Sequence, residues 1–158
     1  MKTFTTLLLA TALISPIAAL SATEHDHGGA ATQQLQLNAG KKWDTDAPLR
    51  QAMTAIYRSA TQILPAAHAG KATAADYDAF GNAISTQVSF MLQNCKLPAQ
   101  ADAQLHLIVG ELVAGAEAAK GKQGDAQRAE GVVQIAQATN AYGKYFNHSG
   151  WKSIKLSH

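Results

Sequence analysis

The chain has 158 residues, a single cysteine and a formal net charge of +2, with 13 Lys and Arg against 11 Asp and Glu. Charge so close to balance argues against a nucleic-acid partner and against a polybasic membrane surface. One cysteine excludes an internal disulfide and the C-x-x-C-H attachment of a c-type haem.

Residues 1–22 have Lys2, a short apolar run and then small residues, which is the pattern of a secretory signal peptide too short to span a membrane. Cleavage is expected after Ala22, with Ser21 as the other option. Removal leaves about 136 residues with a net charge of +1, one exported, periplasmic domain by length. No later run approaches transmembrane length.

Residues 23–44 are polar and rich in Gly, Ala and Gln, with no sustained period, and read as a flexible leader containing His25 and His27. With Thr23 as the first residue, His25 stands third. The amine, two amides and an imidazole then form a nitrogen set suited to Cu(II) or Ni(II).

Asp44, Asp46 and Pro48 mark a helix entry. Leu49, Met53, Ile56, Ala60 and Ile63 repeat at helical spacing, and the first helix is expected to stop at Pro65. Thr73 and Asp76 form a capping-box pattern opening a second helix, whose stripe is Tyr77, Phe80, Ile84, Val88, Met91 and Cys95. Pro98 begins a third helix, to about Lys120, with Leu105, Ile108, Val109, Leu112 and Ala116 on its apolar face. His106 and Val113 lie on the flank of that face. A fourth, from about Asp125 to Asn147, uses Val132, Ile135, Ala136, Thr139, Tyr142 and Phe146. The expected fold is all-α, an antiparallel up-down-up-down four-helix bundle over residues 45–148, followed by a tail at 149–158.

In that topology Met53, Met91 and His106 each lie ~10 Å from the same bundle end, with Cys95 about one turn nearer to it. Two thioethers, a thiol and an imidazole in one place suit a soft metal, foremost Cu(I). Each residue also has an ordinary explanation: methionine fills cores and free cysteine is commonly buried. The chemistry of an enzyme is not in view. There is no Gly-rich phosphate loop, nucleophile elbow or H-E-x-x-H motif. Glu111, Glu117 and Glu130 have no histidine three residues on, as a di-iron bundle would require.

Residues 49–56 (LRQAMTAI), 107–112 (LIVGEL), the turn at 121–127 and residues 140–144 (NAYGK) resemble segments of the small periplasmic soluble cytochrome b, a four-helix bundle. That resemblance implies haem ligation by a methionine near the start of helix one, which falls on Met53, and by a histidine in helix four. The histidine position falls on Gly143. A haem b electron carrier would therefore have to use His106 opposite Met53. Three functions are thus expected, in order: a copper-binding bundle, a haem carrier, and a metal-free interaction module.

Overall fold

The computed structural model describes residues 34–156. The expected signal segment, residues 1–22, and the two histidines of the expected leader, His25 and His27, lie outside the described residues.

Among the described residues the chain is all-helical, with four long helices and no strand: α1 (Ala47–His68), α2 (Ala74–Asn94), α3 (Ala99–Ala119) and α4 (Arg128–Tyr145). A short 3-10 turn, Asp125–Gln127, leads into α4. Local chemistry sets these boundaries. Asp46 caps α1 by accepting from the Leu49 N–H, with Pro48 in the first turn. Thr73 and Asp76 form the expected reciprocal capping box at the start of α2. The resulting hydrogen bonds hold the Asp76 carboxyl below its ordinary value. Pro98 is the N-cap of α3.

α1 runs past Pro65, where it was expected to stop, to His68. Pro65 is exposed and lies in the last turn, so it removes one hydrogen bond from a helix that is about to end anyway.

Helix α1 packs against α2 and α4, and α3 also packs against α2 and α4. The expected stripes form the core between them. Leu49, Met53, Ile56, Ile84, Leu112, Val132, Ile135, Tyr142 and Phe146 have no exposed surface. Burying one such large apolar side chain contributes about 1.5–3 kcal/mol. In α1 the stripe continues to Leu64, with Ile63 at its half-buried edge.

The α3–α4 contact depends on small residues. A Cβ on Gly131 would lie 2.5 Å from both the Ala119 nitrogen and the Gly115 carbonyl oxygen. Two backbones approach so closely there that no side chain fits.

At one end, Arg128 ties three helices together. Its guanidinium donates to Asp78 near the start of α2 (2.7 Å) and to the Ala119 carbonyl ending α3 (2.9 Å). It also donates to Asp125 (2.7 Å), just ahead of α4.

At the other end, segments expected to be loose are docked. The Trp43 N–H donates to the Tyr145 carbonyl (2.8 Å), and the Asn147 N–H donates to the Trp43 carbonyl (2.7 Å). The Trp43 indole donates to the Gln36 carbonyl, and the Gln36 N–H donates to the Gln104 side chain on α3. Gln36 and Trp43, in the stretch read as leader, are thus hydrogen-bonded to α3 and to the end of α4. After α4, Trp151, Ile154 and Leu156 pack on the core, and Asn140 exchanges two hydrogen bonds with the Ile154 main chain.

Candidate functional site

The end of the fold carrying the start of α1 and the α2–α3 corner holds most of the chemistry-bearing side chains. Asp46 is its hub. One carboxylate oxygen caps α1; the other accepts from the Lys96 N–H at 2.6 Å. Cys95, the C-cap of α2, sits half-buried beside it. Its N–H completes the helix by donating to the Met91 carbonyl. Burial raises the Cys95 thiol from 9.0 to about 11, helped by the negative charges of Asp46 and Asp102. The thiol is therefore protonated at neutral pH.

The four expected metal-binding residues of the helical domain occupy three different environments. Met53 and Met91 are core side chains, 0% and 1% exposed. Cys95 lies at the core edge. The His106 side chain is 58% exposed, on the outer side of α3. The flank position expected for His106 therefore faces solvent. His106 follows Leu105 and precedes Ile108, both buried, and at 100° per residue it falls beyond the edge of their stripe. Its Nδ1 is anchored one turn back, 2.9 Å from the Asp102 carbonyl and 3.4 Å from the Asp102 carboxylate. Among the described residues no three His, Cys, Asp or Glu side chains converge as a preformed metal centre.

Sequence reading missed the aromatic cluster at the end of α4. Tyr142 stacks on Phe146 with centroids 5.4 Å apart, and meets the edge of Trp151 at 4.8 Å. Its hydroxyl lies 2.9 Å from His148 Nδ1. Burial drives the Tyr142 phenol well above its ordinary range. His148 is pushed down, first by burial and then by the Arg50 charge. A phenol that keeps its proton beside a neutral imidazole suits donation from Tyr142 to Nδ1, which leaves Nε2 carrying the ring hydrogen. The available signal was the aromatic spacing Tyr142, Phe146, Trp151, but it crosses the end of a helix and so breaks the 3.6-residue period.

Trp151 also explains Gly143. A Cβ built there would fall inside the indole, against Cδ1 and Nε1. The indole N–H is buried over α4 without a hydrogen-bond partner among the described atoms. A histidine at position 143 does not fit while Trp151 is seated, so these residues do not suit axial haem ligation from that position.

No protein-family model, curated protein or solved structure matches the chain.

Proposed function

We propose that the chain is an exported, periplasmic four-helix bundle, antiparallel and up-down-up-down, that binds a soft metal ion, Cu(I) foremost, where α2 turns into α3. The topology is supported by the ties at both ends. Asp46 links the start of α1 to the end of α2, Trp43 links the start of α1 to the end of α4, and Arg128 gathers the opposite ends of α2, α3 and α4.

The observation carrying the metal reading is that Cys95 lies beside the Asp46 carboxylate and within the field of Asp102, one helical turn from Met91. Burial is the first cause that keeps the proton on the thiol, and the added negative charge of Asp46 and Asp102 is what would attract a monovalent cation. Cys95 would hold a cuprous ion through its sulfur, its thiol proton passing to solvent. Soft sulfur donors select Cu(I), and a low-coordinate ion needs no preformed cage of hard ligands. Met91, one turn back on α2, would offer a thioether, and His106 would have to leave Asp102 to contribute an imidazole.

The test is anaerobic Cu(I) titration against a chromophoric chelator. Cys95→Ser is expected to weaken binding by an order of magnitude or more, and Met91→Leu by less. Met91→Leu keeps volume, so the fold should lose less than about 1.5 kcal/mol. Unchanged Cu(I) affinity in Cys95→Ser would overturn the proposal.

A further inference from the structure

A cleft of about 480 Å³ runs along the outer face of α1, lined by Arg50, Gln51, Thr54, Arg58, His148 and Ser149. Arg50, Thr54 and Arg58 are spaced four residues apart, so they stack along one helical face. The post-α4 segment forms the facing wall. A smaller hollow of about 180 Å³ shares Thr54, His148 and Ser149 and adds Lys152. No carboxylate lines either space.

The donors are unevenly committed. One Arg50 nitrogen is held by the Thr45 carbonyl and hydroxyl, which fixes the guanidinium at the edge of the cleft. The Arg58 guanidinium has no hydrogen-bond or ion-pair partner among the described residues. Thr54 Oγ1 donates to the Arg50 carbonyl and keeps its lone pairs. His148 is oriented by Tyr142 through Nδ1, leaving Nε2 for the cleft. One anchored guanidinium, one without a partner among the described residues, a neutral ring donor and a nearby ammonium, with no carboxylate among the lining residues, suit a ligand rich in oxygen acceptors.

We propose that this cleft binds a small oxyanion, a phosphate or carboxylate group of a solute, on the Arg58 guanidinium, with Ser149 and His148 closing from the opposite wall and Arg50 adding positive charge from the far end of the cleft. Guanidinium groups match such groups through paired, charge-assisted hydrogen bonds. The cleft is open, so its occupant is a small hydrated solute and not a deeply enclosed cofactor. This site is independent of the metal reading, because it uses none of Met91, Cys95 or His106.

Amide chemical shifts of the ¹⁵N-labelled full chain, titrated with inorganic phosphate at ionic strength fixed with sodium chloride, test the assignment. The expected result is a saturable response confined to residues 50–58 and 148–152. It should weaken about tenfold or more in Arg58→Gln, the loss of a charged hydrogen bond. Arg58 is exposed and holds nothing else in place, so this variant should fold as the parent does. Succinate in a parallel titration separates the two sources. Saturation by phosphate points to a phosphorylated solute, and saturation by succinate alone to a dicarboxylate. A response that fails to saturate with either anion, or that is unchanged in Arg58→Gln, would overturn the proposal.

Discussion

The indole of Trp151 occupies the space that any side chain at Gly143 would enter. The two residues are a lock between α4 and the segment that follows it, and the glycine is the keyhole. Gly143→Ala normally favours a helix by roughly 1 kcal/mol. Here the indole must move, and a net loss of about 1–3 kcal/mol is expected from overpacking. In Gly143→Ala/Trp151→Ala the conflict is gone, so urea unfolding should give a loss smaller than the sum of the two single variants. Simple additivity would mean that the indole is not pinned there.

Gly131→Ala should be worse than Gly143→Ala. Its Cβ would meet the Ala119 nitrogen and the Gly115 carbonyl, both 2.5 Å away and both backbone. A flexible side chain can step aside, whereas a helix cannot without unpacking its neighbour. A loss of about 3 kcal/mol or more is expected. Equal melting temperatures for Gly131→Ala and the parent would contradict the close α3–α4 approach.

Asp46 serves two helices with one carboxylate. Asp46→Ala removes the α1 cap, which costs about 0.5–2 kcal/mol, and also orphans the Lys96 N–H. Asp46→Asn retains one acceptor oxygen, so it should recover the cap and lose the corner. Amide hydrogen exchange at Lys96 reads the difference: fast in both variants, while Leu49 stays protected only in Asp46→Asn.

The Cys95 thiol, raised from 9.0 to about 11, should alkylate slowly. Reaction needs the thiolate, so iodoacetamide at pH 8 should act about one to two orders of magnitude more slowly than on the unfolded chain. The rate should keep climbing to about pH 11. Linkage fixes the sign for stability: between 9 and 11 the unfolded chain releases this proton and the folded chain keeps it, so stability falls as pH rises through that window. A rate that levels off by pH 9 would remove the influence assigned to burial and the two carboxylates.

The four amphipathic stripes were legible because each repeats over several turns, and the residues on them from Leu49 to Phe146 are the ones that form the core. Thr73 with Asp76, and Asp46 before Pro48, announced the helix starts through short-range chemistry. What did not show was anything depending on single apolar residues outside a period. Leu35, Trp43, Trp151 and Ile154 dock on the helices, but each is isolated among polar neighbours, so only tertiary contact reveals its purpose. The candidate site suffered for a related reason. Sequence distance from the corner put Met91 and His106 at similar heights, but height along a helix says nothing of direction around it. His106 lies just outside the buried face, and a single 100° step separates a facing ligand from a solvent-facing one. The basic cleft was invisible because one wall comes from residues 148–152, which had no regular structure to project.

The main-chain pair between Trp43 and residues 145 and 147 closes a loop of about a hundred residues with two hydrogen bonds. Such a closure carries one of the largest chain-entropy costs in the molecule, and neither bond forms until α4 has been added. Helices α1 to α3 can therefore assemble early through contacts between sequence neighbours, while the strap at residues 34–44 waits for the last part of the chain to arrive. During synthesis the strap remains unlatched until Asn147 has emerged. The order of assembly is thus written into a clasp between two segments that flank the helices.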